Sequence, residues 1–160
     1  HLSIRRQRQM CIRDSVYVHD GWNITGDTFV QDEDGYFTFQ ARNDSMIVTA
    51  GYNVGAPEVE EVVLGHPDVL ECAVVGCPDP ERGMIVAAFV VPRDGVPPSA
   101  ELTTSILDHV KSRLAVYKCP RRVDYLTELP RNPSGKVQHF ILRERAAASA
   151  GVAVTETRGA

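Results

Sequence analysis

A glycine-lysine pair near the C-terminus closes the run Leu129-Pro130-Arg131-Asn132-Pro133-Ser134-Gly135-Lys136. Gly-Lys is also how a nucleotide-binding P-loop ends. That loop needs a further glycine five positions before the Gly of the pair, and Ser or Thr directly after the lysine. Pro130 and Val137 stand at those positions, so the P-loop is excluded. What remains is a proline-stiffened turn with one ammonium at its tip. An ammonium held there can stabilise charge on a phosphate; a lone lysine at a turn can equally serve solvation alone.

Three further stretches have residue types suited to the same chemistry. Thr25-Gly26-Asp27 puts a carboxylate beside glycine, where two oxygens can meet a sugar diol or close an Asx turn. Arg42, in Arg42-Asn43-Asp44, can pair with phosphate or ribose, or end a hairpin in solvent. Thr49-Ala50-Gly51-Tyr52-Asn53-Val54-Gly55-Ala56-Pro57 is rich in small residues that let a ligand approach the backbone, with a helix directly after it. The same residues would serve a plain strand-to-helix turn. Tyr117-Lys118-Cys119-Pro120 precedes the lysine turn. Cys11, Cys72, Cys77 and Cys119 form no Cys-x-x-Cys pair, and His66 and His109 are distant from them in sequence. No metal site is expected from them, and the thiols read as buried or incidental in a reducing compartment, the cytoplasm.

The elements that must position these residues follow from pattern. Thr28-Phe29-Val30 and Tyr36 to Gln40 flank Asp34-Gly35 and predict a hairpin, and Asp20-Gly21 predicts another turn. Ser45 to Thr49 predicts a short strand broken by Gly51. Pro57 opens a helix with an apolar stripe of Val59, Val62 and Val63, which Gly65 and Pro67 end. Val69 to Val75, the wholly apolar Ile85 to Val91, and Val123 to Leu126 predict three strands. Ser99 caps a helix in which Leu102, Ile106, Val110 and Leu114 recur every four residues, and Gln138 to Ala148 predicts a terminal helix. The expected fold is α+β: a small domain over residues 44–147, with a roughly three-stranded sheet packed by helices. A β-hairpin remnant of a larger domain, residues 16–43, precedes it. A hairpin of that size is marginal alone in water.

The 160 residues are 43% apolar and 24% charged, enough for one globular core. A net charge of −4 argues against a nucleic-acid-binding face. No apolar run approaches the ~20 residues of a membrane span. Residues 1–15 hold four arginines and one acid, with neither a helical nor a strand period. They read as a non-native or disordered segment rather than a basic arm, and lack the apolar stretch of a secretory leader. Residues 148–160 read as a flexible tail.

Taken in order, Asp27, Arg42, Asp44, the Gly51 stretch and the Lys136 turn resemble the closing part of the adenylate-forming superfamily, which includes the AMP-forming acyl- and aryl-CoA synthetases. The resemblance covers residues 16–145. It implies that Asp27 and Arg42 contact the ATP or AMP nucleotide and that Asp44 is the hinge between a large N-terminal and a small C-terminal domain. It also implies that Ala50, Gly51 and Tyr52 line the path of coenzyme A, that Arg82 in Glu81-Arg82-Gly83 contacts its nucleotide, and that Lys136 is the catalytic lysine. Ala41 stands where many relatives have glycine, and Asn53 where many have arginine. The combination of Ala50-Gly51-Tyr52-Asn53-Val54, Glu81-Arg82-Gly83-Met84-Ile85-Val86 and Tyr117-Lys118-Cys119-Pro120 is similar to benzoate and 2-aminobenzoate CoA ligases and medium-chain acyl-CoA synthetases.

The implied activity is that of an acid-CoA ligase. A carboxylate, aromatic or medium-chain, attacks the α-phosphorus of Mg²⁺-ATP to give an acyl-adenylate, which then passes to coenzyme A. The implied partners are the small-molecule carboxylate, ATP, coenzyme A and an N-terminal domain that holds most of the Mg²⁺-ATP site. The chain by itself is therefore expected to be inactive. Two other readings stay open: an adenylation domain that loads a carrier protein, and a non-catalytic α+β binding module.

Overall fold

A computed structural model describes residues 18–19, 22–23, 26–42 and 45–149. The 1–15 segment, the Asp20-Gly21 turn, Asp44 and most of the expected tail lie outside those residues. The chain divides into two compact units, His1–Asp44 and Ser45–Ala160.

The first unit contains two antiparallel pairs. β1 (Val18–His19) pairs with β2 (Trp22–Asn23), and β3 (Asp27–Gln31) pairs with β4 (Phe37–Arg42), with a bulge between Thr28 and Phe29. Asp32 closes the β3–β4 turn by accepting the Gly35 amide at its carbonyl (3.1 Å) and the Tyr36 amide at its carboxylate (2.8 Å). Phe29 and Phe39 meet edge to face at 5.8 Å, yet Phe29, Val30, Phe37 and Phe39 are all about half exposed or more. Successive strand residues point to opposite faces, so Phe29 and Val30 make the hairpin apolar on both sides.

The second unit is built on one long antiparallel pair, β7 (Val69–Asp79) and β8 (Gly83–Pro92). Cys72, Val74, Val86, Ala88 and Val90 point into one core, and Ala73, Val75, Cys77, Ala87, Phe89 and Val91 into another. A strand covered on both faces must be apolar at every position, which accounts for the unbroken run through Ile85–Val91. The first core is covered by α1 (Ala56–Leu64) through Val59 and Val63, and by α2 (Ala100–Lys111) through Leu102, Ile106 and Val110. The second is covered by α3 (His139–Ser149) through Leu142 and Ala146. Pro57 in the first turn of α1 and the Ser99 hydroxyl, which accepts from the Leu102 amide at 3.1 Å, start the two helices as their sequences require. Leu114 lies beyond the end of α2 and only packs against the core from its edge.

The α+β expectation holds, and the sheet has five strands rather than about three. β9 (Arg122–Tyr125) runs parallel to β8, with α2 in the crossover that a parallel pair needs. The other two are β5 (Met46–Thr49), where the sequence predicts a short strand, and the unexpected β6 (Tyr52–Gly55); they form a hairpin joined to β8 by the single pair Thr49↔Gly83. The stretch after Thr49 is thus a tight β-turn and a four-residue strand before it becomes a helix. The short Tyr52–Gly55 run lacks the length that would mark it as a strand in sequence.

Ile106 is fully buried between α2 and the sheet. Ile106→Ala is expected to cost about 3 kcal/mol, whereas Val116→Ala at a 77% exposed position should stay within about 0.5 kcal/mol. Urea unfolding of the 160-residue chain checks both.

Candidate functional site

The Lys136 turn is organised by one side chain. Asn132 Oδ1 accepts from the Ser134 amide (3.1 Å), the Ser134 hydroxyl (2.8 Å) and the Lys136 amide (2.9 Å). The Asn132 amide donates to the Lys136 carbonyl (2.9 Å), and Arg131 pairs with Val137 across the turn. Gly135 has φ of 81°, a left-handed backbone that a side chain would strain. Arg131 donates to the Gly135 carbonyl (2.8 Å) and to Glu71 on β7 (2.9 Å), tying the turn to the sheet. Lys136 is exposed, and its ammonium has no partner among the described residues. A rigid, tethered turn with an unpaired cation at its tip is able to meet an anion presented from outside.

A second cluster gathers at the β5–β6 turn. Ala50 and Gly51 both have left-handed backbones, φ 47° and 84°, as a two-residue type I′ turn demands. For Ala50 that conformation costs about 1 kcal/mol. The Ala50 amide donates to the Arg82 carbonyl (3.1 Å), so the turns that carry Ala50-Gly51-Tyr52 and Arg82 lie side by side. Asp79 shapes the Arg82 turn by accepting the Glu81 and Arg82 amides at 3.1 and 2.9 Å. The Tyr52 ring stacks on Tyr117 (4.5 Å between centroids, 21° between planes). Lys118 sits 5.9 Å over Tyr117 and pairs with Glu58 of α1 at 2.6 Å. Four residues singled out in sequence, Ala50, Gly51, Tyr52 and Arg82, therefore share one end of the sheet.

Those two clusters do not share an end. The Lys136 turn is tethered at Glu71, near the start of β7; the Arg82 turn follows Asp79, at its finish. The eight steps of strand from Glu71 to Asp79 put these two anchor points about 26 Å apart. In the first unit Asp27 and Arg42 are a cross-strand pair whose charged groups lie 3.7 Å apart. That brings together the carboxylate and guanidinium expected to meet the nucleotide. Asp44 lies outside the described residues.

Residues 58–136 match the AMP-binding enzyme C-terminal domain. The chain carries an AMP-binding C-terminal domain of the adenylate-forming superfamily. It is 41% identical over 133 residues to the uncharacterized acyl-CoA ligase YtcI of Bacillus subtilis, covering 83% of this chain and 25% of that protein. It is 46% identical over 124 residues to the mitochondrial acyl-coenzyme A synthetase ACSM3 of Mus musculus, covering 76% of this chain and 21% of that protein. Among solved structures it resembles the anthranilate CoA ligase AuaEII in complex with anthranoyl-AMP, with a TM-score of 0.74 and 38% identity over 87% of this chain and 27% of that one. The chain spans about a quarter of the length of the relatives it matches.

Within this AMP-binding C-terminal domain, sequence reasoning missed the residues that hold the turns. Asn132 and Arg131 stood in the run already singled out, and an Asn before Pro-Ser-Gly is itself an Asx-turn signal. Asp79, followed by Pro80, carried a turn signal of the same kind; Glu71 carried none, because its partner Arg131 is distant in sequence. Cys72, Cys77 and Cys119 are buried and form no disulfide, and burial raises the pKa of the Cys72 and Cys119 thiols. Asn132→Ala removes the acceptor of three hydrogen bonds. Hydrogen exchange at the Ser134 and Lys136 amides should quicken on the order of tenfold, while amides of β7 and β8 keep their protection.

Proposed function

We propose that this chain is the C-terminal part of an AMP-forming ligase that activates a carboxylic acid, aromatic or medium-chain, with ATP and transfers the acyl group to coenzyme A. The observation that carries this is the placement of the two clusters at opposite ends of one rigid sheet. Two working turns anchored about 26 Å apart along one strand cannot both be offered to one reaction centre at once. The unit can offer them in succession if it rotates about a hinge, for which Asp44 is the proposed residue.

On this reading Lys136 serves the first half-reaction. As the carboxylate attacks the α-phosphorus and pyrophosphate leaves, negative charge builds on the phosphoryl oxygens. A preorganised ammonium in a dry site stabilises that charge. Among the described residues no carboxylate pairs with Lys136, which suits this role. Asp27, beside Arg42, accepts hydrogen bonds from the ribose hydroxyls, and Arg42 adds positive charge near the nucleotide. Mg²⁺ would arrive with ATP, held by its phosphates and by residues of the N-terminal domain. The described residues contain no group of three or more His, Cys, Asp or Glu side chains suited to it. After rotation the Ala50-Gly51-Tyr52 turn lines the approach of the coenzyme A thiol, with Arg82 placed for its phosphates. The half-exposed aromatic hairpin of the first unit would be covered by the rest of the N-terminal domain. Three buried free thiols suit a reducing compartment, and the cytoplasm is the proposed one.

Two variants of the full-length enzyme separate the half-reactions. Lys136→Ala should lower carboxylate-dependent pyrophosphate release by on the order of a hundredfold or more and largely spare thioester formation from supplied acyl-adenylate. Unchanged pyrophosphate release would rule out the proposed role. Gly51→Val puts a β-branched residue at a φ of 84°. It should slow the thioester step on the order of tenfold or more and leave pyrophosphate release near its original rate.

A further inference from the structure

β7 is the open edge of the sheet, and one carboxylate wraps around it. Glu60, on α1, lies over one face of the sheet, and His139, the first residue of α3, lies over the other. Glu60 Oε1 accepts the outward Val74 amide of β7 at 2.8 Å and the His139 Nε2 at 3.3 Å. His139 stands two residues after Val137. Val137 directly follows Lys136 and pairs with Arg131 across the lysine turn. The clasp thus pins the backbone that leaves the lysine turn to α1 and to the edge of β7. It is separate from the Arg131–Glu71 tether.

We propose that His139, clasped by Glu60, is a positioning residue for Lys136, and that the protonated imidazole holds the lysine turn in its productive place. The inference rests on the ligase reading above and deepens it. The chemistry is the charge on the ring. An imidazolium donates a charge-assisted hydrogen bond to the Glu60 carboxylate, about twice as strong as one between neutral groups. Deprotonation therefore loosens the clasp. The groups facing the ring are Glu60 from α1 and Arg143 from α3; from β7, the Cys72 thiol adjoins Glu60 and is held neutral by burial. The Glu60 hydrogen bond raises the His139 pKa above its ordinary value of 6.5, outweighing partial burial and Arg143. A raised folded value means that the clasp is complete below 6.5 and is lost as pH climbs through the raised value.

The test uses the full-length enzyme and follows pyrophosphate release and thioester formation from supplied acyl-adenylate between pH 6 and 9. His139→Arg keeps a cation and several donors at every pH. The ratio of its adenylation rate to that of the unsubstituted enzyme should rise about fivefold from pH 6 to 9, while the same ratio for the thioester step stays flat. Glu60→Gln keeps an acceptor for the Val74 amide but removes the charge, and should flatten the adenylation profile at a lower rate. A flat adenylation ratio for His139→Arg, or equal changes in both half-reactions, would overturn the proposal; so would a Glu60→Gln profile that follows the unsubstituted enzyme. Lys136→Ala in the same assay keeps the two conclusions apart. If it still releases pyrophosphate, the ligase role of the lysine fails; if it does not and the His139 and Glu60 variants are silent, only the clasp fails.

Discussion

Burial of β8 on both faces is the constraint from which the second unit follows. A strand with no solvent face admits no polar side chain, so its neighbours and covering helices are chosen by what can shield it. β7 pairs with it along its whole length, and β9 and the short β5–β6 hairpin take the other edge. α1 and α2 close one face and α3 the other. Such a sheet is stiff, since bending it would open two packed cores together. The stiffness makes the turns at its ends useful. They are held a fixed distance apart and move only when the whole unit moves.

The two ends are built differently. At the Gly51 end the backbone does the work: two left-handed residues in succession, one of them the strained Ala50, with an amide bonded to the neighbouring Arg82 turn. A backbone-rich, small-residue turn leaves room for a long thin ligand to pass. At the Lys136 end side chains do the work, with Asn132 folding the turn from inside and Arg131 anchoring it to Glu71. Fixing the turn while leaving its ammonium unpaired gives a cation in a defined place whose charge is available to another molecule.

The first unit looks different by the same physical measures. Its aromatic side chains are half exposed on both faces of a two-stranded ribbon, an arrangement that water does not favour. Its Asp27–Arg42 pair is exposed at the arginine and only partly so at the aspartate, and at 3.7 Å it contributes little stability.

How much was legible in the sequence depended on how local each cause was. Helices α1 and α2 could be read because proline, a serine cap and four-residue apolar spacing act within a few residues. β8 was legible because burial on two faces writes itself as an unbroken apolar run. The Gly-Lys turn could be singled out, and its order relative to Asp27, Arg42 and Gly51 carried the resemblance to the adenylate-forming enzymes. Strand β6 was not legible, because its existence depends on β5 lying beside it and on one bridge from Thr49 to Gly83. Nor was the approach of Arg82 to Ala50, or of Glu60 to His139, since each joins residues whose separation only the folded sheet closes. By itself the sequence determined which residues could do chemistry and which segments would be buried. The tertiary structure decided that the glycine turn and the lysine turn stand at opposite ends of one sheet, because the length and register of the β7–β8 ladder set that distance.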